Sequence, residues 1–396
     1  MFFQWLISLT LGILSGIFTG LIPGLHINLL AALIVEAVFI KIFPIEILLI
    51  YIVALSITHT FLDFIPSIYL GAPSEDTIAT TLIGHKYLMK GKAHAALDLT
   101  NKGSLIAIFS ILLVFPFLYW ILPKSYLFIQ KIIPLVLIWV IGIIIFSENK
   151  TRMKTFLIIL LAGFLGIVCL NIEINQPLLP LLTGLFSTST LFYSIKNKTT
   201  PPKQELGTFQ LPKRNFIKPT LITTLVSPFF SLLPGLGSSQ AAIISQKIFR
   251  NKTEKQYLIL LGSINTLVIS TSFLTLYLLN KTRTGAAAAI KQLTEITLPQ
   301  MKFIFLVILV TGIFAYFITK IISKKVAKNL EKLNYQKISC VVIFLTTVIV
   351  ILVSGFIGLL ILITSTALGI FCQELGQRKS TLMASIMIPT IIYYLI

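Results

Sequence analysis

The sequence is short of charge. Only 11% of its 396 residues are Asp, Glu, Lys or Arg, against about 25% in a typical soluble domain. Acids are the scarcer sign, 13 against 32 bases, for a net charge of +19. Cysteine is nearly absent. Cys169, Cys340 and Cys372 show no metal-ligand spacing and imply no disulfide framework, so they read as buried thiols in or beside apolar runs. Catalytic signatures are missing as well: there is no H-E-x-x-H, no G-x-S-x-G and no P-loop. No ATP hydrolysis, enzyme activity, metal or organic cofactor is expected. The first residues, Met1 to Trp5, lack a basic stretch and a small-residue cleavage site. They read as the start of a membrane segment, not as a removed signal peptide.

What fills the chain is apolar. Hydrophobic residues make up 56% and the mean hydropathy is +0.96. Apolar segments fall at about 5–40, 47–70, 105–122, 127–146, 155–170, 177–195, 217–248, 257–279, 302–320, 338–353, 355–371 and 381–396, each with ends uncertain by a few residues. Many approach the roughly 20 residues needed to cross a bilayer. The expected fold class is an all-α polytopic membrane protein of the cell membrane, with the lipid bilayer as its first partner. The bases lie in short loops between spans and form no continuous patch. That excludes a nucleic-acid partner and points to topology, since basic loops stay cytoplasmic.

Two segments, 5–40 and 217–248, are too long for one comfortable span. Each is interrupted by Pro-Gly, at Pro23-Gly24 and Pro234-Gly235, where a helix loses a backbone donor and stops. The two breaks resemble each other at an offset of 211 residues, with six identities over the 14 positions from Phe18 to Ala31. This suggests an internal duplication: residues 1–195 as a first transmembrane repeat, 196–216 as a basic cytoplasmic linker, and 217–396 as a second repeat. The linker region Lys196 to Lys218 carries six bases and one acid, Glu205, and the loop Lys320 to Lys337 six bases and Glu331. Both should be cytoplasmic, yet three apolar segments separate them. A re-entrant hairpin in 217–248 resolves the parity. The same rule applied to 5–40 puts the N-terminus outside and gives about ten crossings in an inverted repeat. Lys281, Arg283 and Lys291 then fall outside, against the charge rule. Twelve full crossings in a parallel repeat is the alternative.

Broken helices inside a membrane are tolerated where they are buried in protein or line a watery cavity. A helix N-terminus carries partial positive charge and suits an anion. The residues expected to seat such a ligand are Pro23, Gly24, His26 and Asn28 from the first break, and Pro234, Gly235, Ser238, Ser239 and Gln240 from the second. Gly71 and Ser74, at a new helix start, join them, as do Asn265 and Gly285 in the second half. Glu75 and Asp76 suit either a coupling cation or the first turn of a helix. His59 and Asp63 share a helix face inside a span, where ionisable groups are costly and usually functional. They could carry a proton or stand as a neutral structural pair. Na⁺ or H⁺ is the expected coupling ion.

Several of these motifs resemble one family. Gly20-Leu21-Ile22-Pro23-Gly24 with Ala31, Leu232-Leu233-Pro234-Gly235-Leu236-Gly237, and Gly71-Ala72-Pro73 are similar to the large permease subunit of the tripartite tricarboxylate transporters (TctA type). The most specific stretch, Gly84-His85-Lys86-Tyr87-Leu88-Met89-Lys90-Gly91-Lys92-Ala93 with Ala96-Leu97, resembles that family's "DGyPmakkGkAgeAL" loop. Asn265 matches one asparagine of its paired-Asn motif, while Thr266 stands where the second is expected. His26, Thr266 and the acids Glu75-Asp76 depart from the pattern and mark a divergent branch of archaeal type. The resemblance implies cation-coupled uptake of a small organic anion, a di- or tricarboxylate. It also implies a small membrane subunit and an extracytoplasmic binding protein as partners; a homodimer is a further option. Outside the resemblance, a lipid-linked phosphate carrier or flippase fits the same helix ends, and an intramembrane enzyme using His59 and Asp63 is the third reading.

Overall fold

The computed structural model describes residues 2–22, 27, 30, 31, 34, 43–71, 75–146, 151–196, 202–232, 237–249, 253–330 and 335–395. Pro23, Gly24, His26, Asn28, Ser74, Pro234 and Gly235 lie outside them, as do the side chains of Glu75 and Gln240. The described residues are helical throughout, apart from turns and connecting segments. In the first half they form α1 (Phe2–Leu21), α2 (Ile45–Leu62), α3 (Ile78–Met89), α4 (Ala93–Phe146), α5 (Arg152–Asn171), α6 (Leu178–Leu182) and α7 (Ser189–Lys196). In the second they form α8 (Arg214–Phe230), α9 (Ser238–Phe249), α10 (Glu254–Leu279), α11 (Gly285–Leu293), α12 (Leu298–Asn329), α13 (Tyr335–Glu374) and α14 (Ala384–Leu395). Among the described residues, seven helices are long and apolar enough to cross a membrane. A helix keeps every interior backbone bond within itself, which is what hydrocarbon demands.

Two boundaries differ from the sequence reading. Segments 105–122 and 127–146 belong to one helix, α4, which carries Pro116, Pro123 and Pro134 inside it. The expected separation at 354 is a break within α13, at Gly355, whose φ of 66° favours glycine. Cys340 corrects an expectation too: it is exposed, while Cys169 and Cys372 are buried.

Helix directions follow from which residues meet. Ser8 Oγ donates to the Ile47 carbonyl at 2.6 Å. A side chain at Gly12 would strike Tyr51 and Ala54, at Gly16 Leu55 and Thr58, and at Gly20 Leu62. The partners rise together, so α1 and α2 run in the same direction, pressed close along a stripe of small residues. Gly103 lies against Ile259, and Tyr119 stacks on Tyr277, so α4 and α10 also run together. The α12 helix runs against them, with Phe305 on Phe115, Gly312 on Ile108 and the Tyr316 carbonyl on Asn101.

The linker marks one face of the bundle. Gln204 is buried there; its Oε1 accepts from the Ala93 amide and its Nε2 donates to the Leu88 carbonyl, each at 3.1 Å. The Glu205 amide donates to the Gly91 carbonyl at 2.7 Å, and Phe209 packs edge-on against Tyr87. From this face α4 and α10 set out. Tyr69, in the π-helical turn Pro66–Leu70 that extends α2, bonds to Ser323 near the end of α12. His94, at the start of α4, bonds to the same Ser323. So α1, α2 and α12 run toward the linker face, and α4 and α10 run away from it.

Candidate functional site

The polar groups that matter lie where α2 meets α10. The most hydrophobic stretch of α10 is wholly buried, although it is apolar enough to face lipid. Its hydroxyls are mostly committed to its own carbonyls: Ser270 to Thr266, Thr271 to Leu267 and Ser272 to Ile269. Such back-bonding hides a hydroxyl without making a site. Three residues reach across to the first half, the first of them Ser263, whose hydroxyl donates to the Gly103 carbonyl at 3.0 Å. Asn265 Nδ2 donates to Asp63 Oδ2 at 2.9 Å, and the Thr266 hydroxyl shares a 3.1 Å bond with Thr60. These bonds join the first half of the chain to the second.

Asp63 ends α2 and is 3% exposed; Asn265 is 1% exposed. The second carboxylate oxygen, Asp63 Oδ1, and the amide oxygen, Asn265 Oδ1, are both buried and receive no hydrogen bond. Each of the two residues thus keeps one buried oxygen that no hydrogen bond meets.

His59 lies one turn before Asp63, as the spacing predicts, but the two are not paired with each other. The His59 Nδ1 shares a 3.0 Å hydrogen bond with Thr19 of α1. The neutral His–Asp pair is therefore corrected: one residue ties α2 to α1, the other ties it to α10. A helix face about 100° wide can touch two neighbours at once.

A second junction lies at the start of α3. Asp76 sits in a 3₁₀ turn, Glu75–Thr77, ahead of α3. Its Oδ1 accepts from the Ser238 amide, the first residue of α9, at 2.8 Å. The Ser239 hydroxyl donates to the Asp76 carbonyl at 2.6 Å and accepts from the Ala79 amide at 3.2 Å. A carboxylate at a helix N-terminus is favourable for both partners. The Ser238 and Thr80 hydroxyls are buried here without a partner. The predicted residues Ser238, Ser239 and Asp76 are thus brought together. Gly71 takes a left-handed φ of 61° at the end of the π-helical turn, near the His85 ring. Burial pushes the pKa of the His85 imidazole below its usual value. Gly285 opens α11 behind Thr284, whose hydroxyl caps the Ala287 amide at 3.2 Å and meets Ser272 at 2.8 Å. Thr19, Thr60 and Thr80 escape the sequence reading, because a threonine in an apolar helix usually bonds its own backbone.

Long apolar helices, buried ionisable groups at their centre and basic loops at one face together define a multi-pass membrane protein. The model of the tripartite tricarboxylate transporter TctA family matches residues 6–384, nearly the whole chain. The chain belongs to that family of membrane transporters. It is also 29% identical, over 400 aligned positions, to an uncharacterized protein of the archaeon Methanocaldococcus jannaschii, covering 98% of this chain and 99% of that one. No solved structure matches it.

Proposed function

We propose that this chain is the translocating permease of a cation-coupled uptake system for a di- or tricarboxylate, and that Asp63 and Asn265 hold the coupling ion. The buried, donor-free oxygens of those two residues carry the reading. A carboxylate taken out of water with one oxygen unmatched is costly unless a cation or proton completes it. Inside a membrane such a residue is functional by default. Na⁺ or H⁺ meets the need, and His59, Glu75 and Asp76 are the further ionisable residues assigned to coupling.

The substrate carboxylates belong at the two Pro-Gly breaks, on the half-helix ends that follow Pro23-Gly24 and Pro234-Gly235, with His26, Asn28, Ser238, Ser239 and Gln240. Gly71, at the end of the π-helical turn, and Gly285, at the start of α11, complete the proposed set together with Ser74. The contact of Asp76 with the Ser238 amide supports this, because a carboxylate is what that position already accepts. A substrate carboxylate would displace Asp76 from that amide. The inverted repeat also finds support. The α1–α2 pair runs toward the linker face, while α10 runs away from it, as halves inserted in opposite senses would. The family's tripartite organisation implies a small membrane subunit and an extracytoplasmic binding protein as partners.

The test is uptake of labelled citrate and succinate into proteoliposomes under an imposed Na⁺ or pH gradient. Asp63→Asn should cut gradient-driven uptake by at least about 100-fold, the equivalent of the roughly 3–5 kcal/mol at stake when a buried charge loses its partner. The protein should still purify as a folded species. Wild-type rates in Asp63→Asn would sink the proposal.

A further inference from the structure

The far end of the bundle, opposite the linker face, holds a cavity of about 560 Å³. It lies where α10 ends: Lys281 and Arg283 follow that helix and line it together with Tyr126, Asn171, Tyr393 and Ser231. Among the described residues no Asp or Glu lines it. The volume falls within the range of about 300–1,000 Å³ that holds small ligands. Ser231 and Leu232, just after α8, line it as well.

The two bases are out of place by the rule that governs the rest of the chain. Basic residues gather on the cytoplasmic side, where the linker and the 84–92 loop lie packed together. Lys281 and Arg283 stand at the other end. A cluster of one sign in a low-dielectric cleft concentrates ligands of the opposite sign. Arginine also offers a planar fork that matches a carboxylate, and the tyrosine and asparagine side chains add further hydrogen-bonding groups. We infer that this cavity is the outward capture site for the transported di- or tricarboxylate, with Lys281 and Arg283 as its charge-recognising pair. This rests on the carboxylate reading above.

The experiment is calorimetric titration of citrate and succinate into the full-length protein in lipid nanodiscs. It compares wild type, the neutralised pair Lys281→Gln with Arg283→Gln, and the charge-keeping pair Lys281→Arg with Arg283→Lys. Neutralisation should weaken citrate binding by at least about 10-fold at low salt, and the difference should shrink at high salt. Succinate, with one carboxylate fewer, should lose less. The charge-keeping pair moves the guanidinium fork, so it should bind citrate less tightly than wild type but clearly better than the neutralised pair, which separates lost charge from a damaged fold. In uptake, the neutralised pair should raise KM and leave kcat nearly unchanged. If wild type binds citrate and the neutralised pair binds it equally well, the capture site is wrong while the carboxylate reading stands. If wild type binds neither acid, the carboxylate reading fails and takes this inference with it.

Discussion

Gln204 and Asn265 are both buried amides, and their surroundings differ in one respect. Gln204, at the linker face, uses both ends: Oε1 takes the Ala93 amide, while Nε2 reaches the Leu88 and Pro202 carbonyls. Asn265, between α2 and α10, uses only one. Its Nδ2 serves Asp63 and the Thr60 carbonyl, and its Oδ1 receives nothing. A buried polar group kept for architecture has its partners, because leaving one unmet costs about 1–3 kcal/mol. A group kept for a ligand has a gap shaped for what it binds. Asp63, its hydrogen-bond partner, likewise keeps one oxygen, Oδ1, open.

Substitution at Asn265 should have the largest effect on this contrast. Asn265→Ala removes the open oxygen and leaves Asp63 without its amide donor. The ion concentration giving half-maximal uptake should rise by about 10–100-fold, the size seen when groups that orient a metal site are lost. An unchanged ion requirement would put Asn265 in the same class as Gln204.

Gln204→Ala should act in the opposite manner. It strands the Ala93 amide at the start of α4, so stability should fall by about 1–3 kcal/mol, read as a lower thermal-unfolding midpoint in detergent. Uptake per folded molecule should stay at the wild-type level. Lost uptake with an unmoved midpoint would mean that the linker takes part in transport.

The sequence made one half of this contrast legible. The segment at 47–70 corresponds to the helical run Ile45–Leu70, and that at 257–279 to α10, with small boundary differences. The spacing of His59 and Asp63 sets them one helical turn apart. That spacing could not say that Asp63 would meet a residue 202 positions away, because the packing of the two halves decides it. Burial was hidden for a related reason. The most hydrophobic stretch of α10 is fully buried and that of α1 only 22% buried, yet both read as apolar text. In a bilayer the lipid-facing and protein-facing sides of a helix are equally hydrophobic, so amphipathicity no longer reports the core. Cys340 fell to the same ambiguity. The loop charges survived it, since topology is read from ends and not from faces. The misfit of Lys281 and Arg283 was visible from the outset as an exception to that rule, and the cavity supplies a physical use for it.

The smallest effect should come from Lys86, a base on the linker face, and it sharpens the comparison between the two ends of the bundle. Lys86 pairs with Glu254 at the start of α10, with side chains 49% and 41% exposed. An ion pair so open to solvent contributes about 0–1 kcal/mol and weakens with salt. Lys86→Ala should therefore shift the unfolding midpoint by no more than that allows. It should also leave the uptake KM for citrate unchanged at both low and high ionic strength. The reason is placement: this charge faces the linker side, whereas Lys281 and Arg283 line the cavity at the other end of the bundle. A salt-dependent rise in KM on losing Lys86 would mean that bases at both ends act alike on the anion. The basic charge at the linker face would then serve the substrate as well as the topology.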